Sequence, residues 1–197
     1  MDNHTSPDIG DCLREGWQLY LKEPLLFSGA TALAALLMAL ASWIPLAHMF
    51  LAPPLLAGMY LMIISVDRDE PVSIRRLFDG FSFFVPVVLS SVLISLIVSI
   101  GLVLLVLPGI YAALVYGITT LLIVDRGMDF WPAMESSRKT LHVYIWPYLL
   151  LALLLGVIFV LASIPLGLGL LVAVPVCMGA QYRFYRSISR EPIPNSP

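Results

Sequence analysis

The chain has 197 residues, 59% of them apolar and 12% charged, with a mean hydropathy of +0.92. That composition excludes an ordinary soluble domain and predicts an integral membrane protein with a single membrane domain over residues 1–197. A formal net charge of −2 leaves no basic surface for nucleic acid and no acidic tail. The expected partners are therefore membrane lipids, with other membrane proteins or self-association as further options.

The first 23 residues carry Asp2, Asp8, Asp11, Glu15 and Glu23 against Arg14 and Lys22, with no small-residue cleavage site after the first apolar run. The first hydrophobic segment is thus expected to remain in the mature protein. Ile9, Leu13, Trp17 and Tyr20 recur at helical spacing, so this segment predicts an amphipathic helix lying in the membrane interface. Residues 24–66 follow without a formal charge and end in V-D-R-D-E-P. A second amphipathic stripe, Ile74, Leu77, Phe78 and Phe81, is opened by Ser73 as its expected cap, with Arg75, Arg76 and Asp79 turned away. Residues 80–124 are again free of charge and again close on V-D-R. In D-F-W-P-A-M-E-S-S-R-K-T-L, Asp129 is the expected cap and Pro132 suits a first turn; Phe130, Trp131 and Met134 should insert while Glu135, Arg138 and Lys139 face water or headgroups. Residues 140–182 form the last uncharged block, and 187–197 a cytoplasmic tail.

The uncharged blocks are 43, 45 and 43 residues long. A spanning helix needs about 20. Each block therefore predicts two helices and a turn, with the turns at Pro/Gly-bearing stretches 44–54, 107–109 and 164–169. The fold class is accordingly all-α, with six transmembrane helices in three hairpin repeats, each preceded by a short interfacial helix. The units run from about 8 to 66, 72 to 124 and 129 to 186. Pro24, Pro86 and Pro147 recur near the block starts, and residues 54–71 align without gaps on 175–192, matching Pro, Gly and Glu-Pro. Every Lys, Arg, Asp and Glu lies outside the blocks, so all fall on one side, and the positive-inside rule makes both termini cytoplasmic.

The runs L-P-G-I-Y (107–111), I-V-D-R-G (123–127) and F-W-P-A-M-E-S-S-R-K (130–139) resemble a signature of bacterial inner-membrane proteins related to the glycerophosphodiester phosphodiesterase membrane-domain families. The resemblance extends from about residue 16 to 186 and is most specific over the second hairpin and the segment after it. It implies an inner-membrane helical protein without an assigned reaction, because the phosphodiesterase activity of those families belongs to a separate soluble domain.

Candidate chemistry is sparse. There is no H-E-x-x-H, no G-x-S-x-G and no aspartate-rich phosphotransferase motif, and no predicted span holds an acid away from its ends. No catalytic residue, cofactor or metal ligand is expected. His48 and His142 fall at opposite membrane faces, and Cys12 and Cys177 read as small space-fillers. Arg68, Arg75, Arg76, Arg126, Arg138 and Lys139 are the candidate lipid-headgroup or partner contacts, since guanidinium pairs well with phosphate. The plainer reading of the V-D-R pairs is that they mark helix exits. Ser91, Ser95 and Ser99, with Ala152/Gly156, Ala113/Gly117 and Gly169/Ala173/Cys177, read as seams between helices. The function expected is a non-enzymatic scaffold or accessory factor acting on membrane lipids or membrane partners. The alternative is a transporter or channel for a small apolar or lipid-like solute, which would use the same stripes to line a path.

Overall fold

The computed structural model describes residues 8–44, 47–164 and 167–190; the Arg190 side chain, the tail from 191 on, Asp2 and the middles of two predicted turns lie outside them. The described residues are all helical or connecting, with no strand among them. In chain order they form α1 (Ile9–Lys22), α2 (Pro24–Ala41), α3 (Ala47–Asp67), a 3-10 segment (Ile74–Phe83), α4 (Phe84–Leu104), α5 (Val106–Val115), α6 (Thr119–Arg126), α7 (Phe130–Val143), α8 (Ile145–Ser163) and α9 (Leu170–Arg190). Among the described residues, five continuous stretches are long and apolar enough to cross a membrane: α2, α3, the 3-10 segment with α4, α5 with α6, and α8. The sixth predicted span, α9, is as long as α3, but its second half carries Arg183 and Arg186.

Local sequence explains the breaks. Pro24 stands at the first position of α2, where the missing N–H costs nothing. The chain reverses between α4 and α5 at Leu105, an extended residue, and Pro108 falls in the first turn of α5 and not in the reversal itself. Pro53 and Pro54 lie within α3, so that helix begins before them and the first turn is earlier than their position suggested. The return helix of the second block is interrupted at 116–118, which divides α5 from α6. Gly127 ends α6 in the left-handed conformation, φ 62°, that suits glycine.

Packing places the amphipathic elements against protein more than sequence periodicity implies. The most extensive contacts join α1 to α9, the 3-10 segment to α3, and α4 to α5. At the first two, chains touch backbone to backbone. A Cβ on Gly16 would lie 2.5 Å from the Ala180 nitrogen, and Gly179 faces Gly16 in return. Cβ atoms on Gly58 and Gly80 would overlap the Leu77 and Pro54 carbonyls. The corresponding contact of α7 is Ser137, fully buried, whose Oγ donates to the Val115 carbonyl at 2.8 Å.

Several expectations change accordingly. The buried face of α1 is Cys12, Gly16, Leu19 and Tyr20, while Trp17 is exposed. Segment 74–83 is a 3-10 helix, Ser73 makes no side-chain cap bond, and Leu77 is buried against α3 and not in lipid. Asp129 does cap α7, accepting from the Phe130 N–H at 2.8 Å. Met134 is buried with Ala133 and Leu141 inside the protein, not in lipid, whereas Trp131 is 64% exposed. Small side chains explain this: Gly16, Gly80 and Ser137 let each segment approach a helix closely enough to turn part of its apolar stripe inward.

Candidate functional site

Three helices, α3, α6 and α9, end together at the charged border, and the two V-D-R tripeptides meet there. Asp67, at the end of α3, has a side chain only 8% exposed. It forms an ion pair with Arg183 Nη2 at 2.7 Å and accepts from Arg186 Nη1 at 3.0 Å and the Tyr182 hydroxyl at 2.9 Å, all from α9. Arg186 also donates to the Tyr182 hydroxyl at 3.1 Å and its guanidinium lies 5.9 Å from that ring. Two guanidiniums around one nearly buried carboxylate are a favourable arrangement, since a lone buried charge would be costly.

Asp125, at the end of α6, is 17% exposed and joins the other two helices. It accepts from Arg68 Nη2 at 2.7 Å and from the Tyr185 hydroxyl at 2.9 Å. Arg126 Nε in turn donates to that hydroxyl at 3.1 Å. The clasp thus runs from α9 to α3 through Asp67, from α3 to α6 through Arg68, and from α6 back to α9 through Asp125 and Arg126. The N-terminal helix joins it as well: Glu15 Oε2 is 3.3 Å from Arg183 Nε, within ion-pair reach though not aligned as a hydrogen bond.

Beneath the clasp lies a polar knot that the charge pattern did not announce. Gln181 of α9 accepts from the Tyr60 hydroxyl at 2.7 Å, and its amide donates to the Tyr148 hydroxyl at 2.7 Å and the Gly117 carbonyl at 2.9 Å. The interruption between α5 and α6 leaves that carbonyl available, and Gln181 satisfies it. Gly117 has no room for a Cβ because the Tyr148 hydroxyl occupies the place. One signal was legible: Gln181 is the only Asn or Gln in the three uncharged blocks, and a polar amide among apolar residues needs partners.

The six candidate headgroup contacts are placed differently from one another. Arg68 and Arg126 belong to the clasp. Arg138 and Lys139 both pair with Glu135 on the exposed side of α7, at 2.9 and 3.3 Å, and the Arg138 hydrogen bond holds the Glu135 carboxyl below the usual range. Arg76 Nη1 meets Asp79 Oδ2 at 3.1 Å while its Nε is buried without an acceptor. Arg75 is exposed and makes no ion pair with any described residue. Both line a cavity of about 410 Å³ with Ser65, Glu70, Ser73 and Asp79.

On the other side of the molecule, His48, Ser91 and Ser95 line an apolar cavity of about 530 Å³ between α3 and α4. Ser95 is exposed, donates to its own Val92 carbonyl, and with Ser99 stands away from any tight seam. Ala152 and Gly156 form no seam either, since nothing lies within 4 Å of the Gly156 position. Gly169 does pack closely, on the Ala162 backbone. His142 meets the Tyr111 hydroxyl at 2.8 Å through Nδ1. Cys12 and Cys177 are free thiols, and among the described residues no group of His, Cys, Asp and Glu is arranged to hold a metal. No family model matches the chain, and no curated protein or solved structure matches it.

Proposed function

We propose that this chain is a six-span protein of the bacterial inner membrane, related to the glycerophosphodiester phosphodiesterase membrane-domain families, that serves as a scaffold or accessory factor for membrane lipids or membrane partners. The observation that carries this reading is the clasp. Asp67 pairs with Arg183 and Arg186 and Asp125 with Arg68 across helix ends, and Arg126 joins them through the Tyr185 hydroxyl, which builds a fixed platform at the membrane border. Their charge is committed to holding the bundle.

The clasp also supports α9 as the sixth span. The arginines that lower its hydropathy are held by Asp67, where α3 leaves the membrane, so they mark a border and do not interrupt a span. Support for three repeats comes from the crossings: Gly80 lies on α3, Ser137 against α5 and Gly16 on α9. These residues share a local context, L-R-E-G-W, L-F-D-G-F and M-E-S-S-R. Each amphipathic segment then packs on the last helix of the preceding unit, with α1 packing on the last unit to close a ring. The alternative, a pathway for a small apolar solute, draws on the cavity of His48, Ser91 and Ser95.

Topology tests the reading. In a cysteine-free background, single cysteines replacing Asp2, Arg75, Lys139 and Asn195 are expected to react with an impermeant thiol reagent only after the cell is opened. Labelling of any of them in intact spheroplasts would overturn the arrangement with both ends inside. If Ser91, Ser95 and Ser99 changed together to Ala leave a folded protein that no longer takes up an identified solute, the pathway reading replaces the scaffold.

A further inference from the structure

The cavity beside the 3-10 segment is lined by groups of both signs, and among the described residues neither of its arginines pairs with a carboxylate of another helix as Arg68, Arg183 and Arg186 of the clasp do. Arg76 gives one bond, to Asp79, and its Nε is an orphaned donor. Arg75 is uncommitted among the described residues, while Ser65 and Ser73 add hydroxyls and Glu70 and Asp79 add carboxylates. The Glu70 N–H is held by the Ser65 carbonyl at 2.9 Å, which ties the connecting loop to the end of α3. Next to this cavity, Lys22 and Asp69 pair at 2.7 Å, so that neighbouring cation and carboxylate satisfy each other. Ile74 and Phe78, about half exposed on the same segment, and the Phe78–Phe81 stack supply an apolar edge beside the charged mouth. Charges beside exposed apolar side chains on one short segment suit a site where guanidiniums meet headgroups and the apolar edge meets acyl chains.

We propose that this cavity binds the headgroup of a phosphatidylethanolamine-type lipid. Arg75 and Arg76 take the phosphate, with Ser73 as an added donor, and Glu70 and Asp79 take the primary ammonium. The pairing of signs selects the occupant. A purely anionic lipid would face two carboxylates without a cation of its own, and a choline headgroup offers no N–H to those carboxylates. The assignment rests on the reading above only in requiring that this border face lipid headgroups.

The test uses the full-length protein extracted gently and exchanged into mixed micelles containing equal phosphatidylethanolamine, phosphatidylglycerol and phosphatidylcholine, with bound lipid counted by native mass spectrometry. Phosphatidylethanolamine is expected to be retained over both others. Arg75→Gln with Arg76→Gln should lower its retention by about tenfold, the loss of one charge-assisted hydrogen bond or more. Glu70→Gln with Asp79→Asn should keep a bound lipid but reverse the preference toward phosphatidylglycerol. A variant at Lys22 with Asp69, outside this cavity, should leave the preference unchanged. Equal retention of all three lipids by the unaltered protein, or unchanged preference in both cavity variants, would overturn the site while the topology labelling still stands. Displacement by soluble glycerophosphoethanolamine as readily as by the intact lipid would overturn the lipid as its ligand. Reaction of position 75 in intact spheroplasts would instead overturn the membrane arrangement itself.

Discussion

Asp67 and Asp125 open identical V-D-R contexts at their helix ends, yet one holds two guanidiniums and the other holds one, and the difference has consequences. Asp67→Asn leaves Arg183 and Arg186 beside a neutral group in a nearly closed site. Breaking such a pair typically costs about 3 kcal/mol or more, so thermal unfolding in detergent should show a large drop in Tm. Asp69→Asn, which removes an exposed partner of Lys22, should leave Tm unchanged. Cys12 provides a chemical test of the α1 interface: burial first, then Glu15, Asp11 and Asp8, push its thiol up to about 11. It stays protonated at neutral pH, so a permeant maleimide should modify it far more slowly in the folded protein than after denaturation, and equal rates would show α1 detached. At this scale the sequence disclosed the repeated tripeptide and its charges. It did not disclose the partners, because Asp67 meets residues more than a hundred positions later, and such pairing depends on how the helices are arranged.

Among the elements, the glycines separate crossings from open surface. Gly58→Ala and Gly80→Ala each press a methyl group into the opposing backbone, which cannot move aside as a flexible side chain could. Each should lower stability by about 1–3 kcal/mol, the usual cost of overpacking. Gly156→Ala meets nothing within 4 Å and should be neutral or stabilising by up to about 1 kcal/mol through helix propensity. The order of the three melting temperatures checks this. Small-residue spacing in the sequence favoured Ala152 with Gly156, which is open, as well as Gly117 and Gly169, which are close-packed, and it missed Gly58 with the 3-10 segment and Gly16 with α9. Spacing identifies a face that permits close approach, but a partner helix must be present to use it. The amphipathic stripes were similarly half legible: periodicity marked Leu77, Tyr20 and Met134 as apolar-face residues, but all three are buried against protein, Met134 because Ser137 seats α7 against α5.

For the whole molecule, charge-free block lengths predicted six spans; among the described residues five stretches are long and apolar enough to cross a membrane, and α9, whose second half carries arginines, is not one of them. Gln181 was visible as an isolated amide, but its role in joining Tyr60, Tyr148 and Gly117 required the helix break that frees the Gly117 carbonyl. Gln181→Leu should therefore loosen α3, α8 and α9 together, with a loss on the order of 1–2 kcal/mol for the buried bonds, read as a lower unfolding midpoint; an unchanged midpoint would show the knot to be dispensable. Closure of the proposed ring is tested most directly by cross-linking its two ends. With Glu15 and Arg183 replaced by cysteine and the two native cysteines removed, a short bifunctional thiol reagent applied to membranes should join α1 to α9 within one chain, giving a faster-migrating monomer on denaturing gels. Cross-links found only between chains, or none where both cysteines are individually reactive, would contradict the closed arrangement of three units.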